Sequence, residues 1–109
     1  MAPRMTLPTQ LVLRELMADP SRSMYGLELC AAAGLPSGTI HPILARLERF
    51  GWLESRWEEV DPHEKGRPRR RYYRLDPNSV AVVQAALHRA EASTQALKNM
   101  RPGLAGGAQ

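Results

Sequence analysis

Only three residues, Gly34 to Pro36, separate two stretches of helical patterning, and that gap limits the fold more than any other feature of the chain. Before it, Leu27, Cys30 and Ala31 recur at three- and four-residue steps, with Ser23 as N-cap and Gly34 as a natural C′ residue. After it, Ile40, Ile43, Leu44 and Leu47 form an apolar stripe that leaves Gly38, Thr39, His41, Pro42, Ala45, Arg46 and Arg49 on the outer face. So short a turn makes the two helices cross steeply instead of lying antiparallel, which is a helix-turn-helix.

Past Phe50-Gly51-Trp52 the hydrophobic period drops from helical to strand-like. Leu53, Ser55 and Trp57 fall on one side of a predicted strand, and Glu54, Arg56 and Glu58 on the other. A second strand is predicted over Arg70 to Leu75, with Arg71, Tyr73 and Leu75 on one face. Val60 to Pro68 is too long and polar for a tight turn and reads as a hairpin loop. Upstream, Thr6 caps a predicted first helix with Pro8 in its opening turn and Leu7, Leu11, Val12, Leu16 and Met17 as its stripe. The fold class is therefore mainly α with a small β-hairpin: a winged helix-turn-helix over residues 1–76.

Ser79 to Met100 contains no Gly or Pro and predicts a last helix. At ~1.5 Å per residue it would be about 33 Å long, more than the body behind it can cover. Val80, Val83, Leu87, Ala90, Thr94 and Leu97 keep the spacing of a seam buried against another helix. Residues 77–100 thus read as a dimerisation helix of a homodimer, packed with Leu7 and Leu11 of the first helix of the other chain. Residues 101–109, with Pro102 and a run of Gly and Ala, offer no pattern and read as a disordered tail.

The charge is as uneven as the patterning. Of 109 residues, 15 are Lys or Arg and 11 are Asp or Glu, a formal net charge of +4. Lys65, Arg67, Arg69, Arg70, Arg71 and Arg74 lie within ten consecutive residues that hold no acid, so the rest of the chain is slightly acidic. Basic character belongs to the wing, as expected of an element that meets phosphates. The neighbouring acids Glu58, Glu59, Asp61 and Glu64 read as a solvated loop that tempers nonspecific attraction to DNA. A composition of 43% hydrophobic and 24% charged residues excludes a collagen-like or wholly disordered chain. One cysteine, Cys30, excludes an intrachain disulfide, and no apolar run approaches the roughly 18 residues that span a membrane. Met1 to Thr6, broken by Pro3 and Arg4, does not read as a signal peptide, so a cytoplasmic setting is expected.

His41, His63, His88 and Cys30 show no metal-ligand spacing, and no nucleophile-elbow or phosphate-loop pattern occurs; neither catalysis, metal nor cofactor is expected. The start of the third helix offers other chemistry. With Ser37 as its N-cap, the first-turn amides and the hydroxyls of Ser37 and Thr39 can hold a phosphate or a base edge, an anion being favoured by the helix dipole. Gly38 admits a closely approaching backbone, and His41 can donate to base or phosphate. Pro42 removes one amide and leaves the carbonyl of Gly38 without its usual partner, a fault tolerated near a helix end. Trp52 and Trp57 read as packing around the wing, and Cys30 as core.

These motifs occur together in a known order. Met24-Tyr25-Gly26-Leu27-Glu28-Leu29, Leu35-Pro36-Ser37-Gly38-Thr39-Ile40-His41-Pro42-Ile43-Leu44, Arg46-Leu47-Glu48, Gly51-Trp52-Leu53-Glu54-Ser55 and Gly66-Arg67-Pro68-Arg69-Arg70-Arg71-Tyr72-Tyr73-Arg74-Leu75 resemble the PadR family of bacterial transcriptional regulators, over roughly residues 6–76. The resemblance implies a homodimeric repressor of an inverted-repeat operator, with the third helix in the major groove and the wing flanking it. By position it assigns Tyr25, Ser37, Gly38, Thr39, His41 and Arg46 to the double-stranded DNA, along with Lys65, Arg67, Arg69, Arg70 and Arg71 of the wing. His41 stands where the family usually has Tyr, and Asp76-Pro77-Asn78-Ser79 replaces the usual Thr and Gly after the second strand. The single C-terminal helix resembles the compact branch of the family. Some relatives bind an aromatic effector between such helices, whereas Ser79 to Met100 holds no aromatic residue. The contrasting reading is an adaptor whose third helix and wing dock an acidic protein surface.

Overall fold

The computed structural model describes residues 3–107. They form α1 (Leu7–Ala18), β1 (Met24–Tyr25), α2 (Gly26–Ala33), α3 (Ser37–Phe50), β2 (Leu53–Trp57), α4 (Pro62–Lys65), β3 (Arg71–Leu75), a 3-10 turn at Pro77–Ser79 and α5 (Val80–Gly107). The strands make one antiparallel sheet in the order β1-β3-β2.

The Thr6 hydroxyl caps α1 by accepting from the Thr9 amide, and Pro8 sits in the first turn, where no amide bond is lost. Its buried face is Thr9, Gln10, Val12, Leu13 and Leu16, so Leu13 takes the place predicted for Leu11, which is half-buried, and for Leu7, which is exposed. The buried Gln10 amide stays satisfied by donating to the Met5 carbonyl at 3.0 Å.

Ser23 does not begin the second helix. Met24 and Tyr25 are drawn into the sheet by pairing with Tyr73 and Tyr72, which delays α2 to Gly26 with Tyr25 as its N-cap. Gly34 closes α2 in the left-handed region at φ 69°, as its position predicts, and its amide donates to the Cys30 carbonyl. Pro36, rather than Ser37, then caps α3: its carbonyl accepts from the amides of Thr39 at 3.0 Å and Ile40 at 3.1 Å, and Ser37 becomes the first helical residue. Ile40, Ile43, Leu44 and Leu47 are buried as the stripe requires. The loop between β2 and β3 contains a helical turn, α4, that periodicity missed; the Asp61 carboxylate caps it through the His63 amide at 2.9 Å.

The core gathers Val12, Leu13, Leu16, Leu29, Ile40, Leu44, Leu47 and Leu75 with Val83, Ala86 and Leu87 from the start of α5. That last contribution changes the reading of the C-terminal helix. Val83 and Leu87 are buried against their own chain, and Val80 packs at the edge of the same core, so the first turns of α5 belong to the winged-helix body. Arg14 of α1 fastens the next turn by donating to Glu91 at 2.9 Å. Asp76 to Ser79 steer the chain into α5: the Asp76 amide donates to the Trp52 carbonyl at 2.9 Å, and the Ser79 hydroxyl donates to that of Gly51 at 3.2 Å. Helical backbone continues through residues 101–107, where an irregular tail is expected from the sequence; residues 108–109 lie outside the described residues. A helix nucleated over several preceding turns tolerates the one amide that Pro102 removes. Among the described residues no helix is long and apolar enough to cross a membrane.

Candidate nucleic-acid interface

Burial of Ile40, Ile43, Leu44 and Leu47 turns Ser37, Gly38, His41, Pro42, Ala45, Arg46 and Arg49 outward as one exposed face, with Thr39 half-buried at its edge. The Pro36 carbonyl engages the amides of Thr39 and Ile40 and so leaves those of Ser37 and Gly38 at the open end of α3. A methyl group added at Gly38 would meet nothing within 4 Å, so the chain's own packing gives no reason for glycine there. Gly26 is different: a methyl group there would lie 2.9 Å from Cε1 of His41 and displace the ring. His41 is thus seated on the start of α2 while remaining exposed.

The wing meets this face across a groove of about 370 Å³. Tyr25, Gly26, Leu27 and His41 line it from the helix-turn-helix, and residues Arg67 to Arg71 with Tyr73 line it from the wing. The Tyr25 ring is held edge-on to Tyr72, centroids 5.6 Å apart, and the Arg70 guanidinium lies 4.0 Å above its centroid. Leu27, expected in the core, is 70% exposed in this groove. The helix buries Leu29 instead.

The six clustered cations do not share one role. Arg67 makes a forked pair with Glu58, Nη1 to Oε1 at 2.7 Å and Nη2 to Oε2 at 3.0 Å. Arg71 donates from Nη2 to Glu48 of α3 at 3.3 Å, a carboxylate that also accepts from the Ser55 hydroxyl. Arg74 donates to Glu54, its cross-strand neighbour, at 2.5 Å. Arg69 uses Nε on the Val60 carbonyl at 2.9 Å but stays exposed, as does Lys65. The Arg67 guanidinium and the Arg70 amide together hold the Glu58 carboxyl at about 2, far below its ordinary 4.5, against the opposing effect of burial. The acidic cluster is therefore not simply a solvated loop: Glu58 is built into the wing.

Three other expectations meet the structure here. Trp52 is buried, edge-on to Phe50 at 5.5 Å, but Trp57 is 56% exposed with the Arg71 guanidinium 5.2 Å from its ring. An odd position on β2 predicts the inward face, yet Trp57 lies at the strand's outer end, past the core. Cys30 is half-buried against the core. The acidic partners Glu48, Glu54 and Glu58 escape a reading that counts charges along the chain. The hairpin register would have found one of them, since pairing Leu53 with Leu75 sets Glu54 opposite Arg74.

A helix-turn-helix with an exposed second helix, followed by a cationic hairpin beside the same groove, defines a winged-helix regulator. The chain belongs to the transcriptional regulator PadR-like family, whose model matches residues 16–81. Among solved structures it is similar to a PadR family transcriptional regulator from Eggerthella lenta DSM 2243, with 25% identity over 84% of this chain and 79% of that one and a TM-score of 0.62. Bordetella bronchiseptica BpsR, whose DNA binding is regulated by 6-hydroxynicotinic acid, shares 20% identity over 87% of this chain and 67% of that one at a TM-score of 0.65. S. aureus MepR, solved as a DNA complex, shares 17% identity over 96% of this chain and 82% of that one at 0.60. No curated protein matches.

Proposed function

We propose that this PadR-family regulator is a homodimeric repressor that binds an inverted-repeat operator, each protomer laying α3 in the major groove and its wing along the flanking backbone. The observation that carries this reading is the single groove joining His41 of α3 to Arg69 and Arg70 of the wing. Ser37, Gly38, Thr39, His41, Pro42 and Arg46 present themselves to base edges and nearby phosphates; Tyr25, Lys65, Arg69 and Arg70 meet the backbone. Selection of bound sequences from random duplexes tests it: an enriched palindrome with two half-sites supports the reading, and no enrichment defeats it.

The dimer forms through the part of α5 that the core leaves uncovered. Leu97 is 67% exposed, Leu7 and Val82 are exposed as well, and Ala90 and Thr94 are half-buried. Leu11 flanks them on α1, whereas Val80, Val83 and Leu87 serve the chain's own core. Leu97→Asp then gives folded monomers by sedimentation that have lost operator binding; a tight dimer in that variant places the interface elsewhere. By analogy with BpsR, a small molecule releases the operator, and the absence of aromatic residues from Val80 to Met100 directs its contacts away from ring stacking on α5.

A further inference from the structure

We infer that Glu58 sets the specificity of DNA binding by withholding Arg67 from phosphate, so that Arg67 acts as a strut of the wing while Lys65, Arg69 and Arg70 carry its phosphate contacts. This rests on the DNA-binding reading above and concerns a residue that charge counting placed in a passive loop.

Glu58 closes the wing just beyond the last β2–β3 pair. Its amide donates to the Arg70 carbonyl at 2.8 Å, and its Oε1 accepts from the Arg70 amide at 3.2 Å. The same carboxylate receives both terminal nitrogens of Arg67, and Nη1 of Arg67 also donates to the Pro68 carbonyl at 3.1 Å. Three of the five guanidinium N–H groups are thereby engaged. The pair is partly withdrawn from water, with side-chain exposures of 29% for Arg67 and 15% for Glu58. Arg69 and Lys65, by contrast, stand exposed, and Arg70, which lines the groove together with Arg67, lies over Tyr25; none of Lys65, Arg69 and Arg70 has a carboxylate partner among the described residues.

A phosphate that takes Arg67 must either displace the carboxylate already forked onto it or make do with the two N–H groups left over, and in both cases must tolerate that carboxylate as a neighbour. Glu58 is ionised at neutral pH, as any carboxyl near its ordinary value would be, so the barrier stands there. Nonspecific binding grows with every cation a duplex can reach, whereas base reading depends on where the wing is held. One clamp therefore lowers the first and secures the second, which is how a ratio of affinities is raised without a new contact to bases.

The test measures Kd on a selected duplex and on its shuffled version across a salt series for wild type, Glu58→Gln, Arg67→Gln and the double variant. Glu58→Gln is expected to free Arg67, steepening the log Kd against log salt slope on the shuffled duplex by about 0.9. The selected-to-shuffled preference falls by about tenfold, the scale of one charge-assisted hydrogen bond. Arg67→Gln leaves both slopes at the wild-type value, and the double variant returns there. A merely structural Glu58 would weaken both duplexes alike and steepen neither slope, which overturns the proposal. So does a slope flattened by about 0.9 in Arg67→Gln, because Arg67 then already contacts phosphate; this arm decides alone if Glu58→Gln does not fold. Equal wild-type affinity for all duplexes would defeat the DNA-reading proposal instead, while the shuffled-duplex slopes still report on Arg67.

Discussion

The third helix and the wing both carry arginines, but the chain treats the two sets differently. Arg46 and Arg49 on α3 are exposed and make no ion pair among the described residues, whereas Arg67, Arg71 and Arg74 of the wing are each met by a carboxylate from their own chain. A helix of this length holds its backbone by its own hydrogen bonds and can present side chains outward. A hairpin with a long connection cannot, and its shape depends on cross-strand pairs and on ties to α3 such as Glu48–Arg71. Density of charge in a sequence is therefore a poor measure of the charge a ligand meets. Part of it is consumed in building the element that displays the rest.

The largest expected consequence lies on the unpaired side of the wing. Replacing Arg69 and Arg70 together by Ala lowers affinity for every duplex by on the order of a hundredfold at low salt and flattens the salt slope by about 1.8, read by fluorescence anisotropy across a salt series. An unchanged slope would erase the distinction between paired and unpaired arginines. On α3, Thr39→Ala and His41→Ala should instead reorder preferences among sequences by about 1–3 kcal/mol at the positions read and leave the slope alone; a uniform loss counts against base reading. Gly38→Ala separates fold from function at one position. Open space around it and the better helix propensity of Ala predict a stability gain of about 0.5–1 kcal/mol in chemical denaturation, together with weaker operator binding if a DNA backbone approaches there.

The smallest effect is in the acid limb. The Glu58 carboxyl titrates at about 2 in the folded chain and at an ordinary 4.5 otherwise, so its stabilising contribution is complete above the ordinary value and is lost as pH falls between the two. Thermal midpoints of wild type and Glu58→Gln should then converge as pH drops through that window. A constant gap would mean that the clamp is not ionic.

Much of the architecture was legible in the chain. The stripe of α3 is a run of large aliphatics at helical spacing, Gly34 sits where a left-handed C′ residue is needed, and β3 alternates as its burial does. These are local regularities, set by backbone geometry and side-chain direction. Some failures were local, such as the turn α4 and the cap of α3, but the others depended on partners distant in sequence. Residues 24–25 are a strand only because β3 lies beside them, and burial of Leu13 rather than Leu11 and exposure of Leu27 in the groove are settled by how the helices pack together. At the site, the helix face was readable residue by residue, but Glu48, Glu54 and Glu58 were not, since each finds its arginine across a turn or between elements.

By itself the sequence determined the helix-turn-helix, the hairpin and which segment is basic, because periodicity, turn residues and charge are properties of neighbours along the chain. Tertiary structure alone decided how α5 divides between its own core and an uncovered face, and which arginines remain available to a polyanion. Both are questions of what lies within a few ångströms across the fold, where burial and ion pairing are settled.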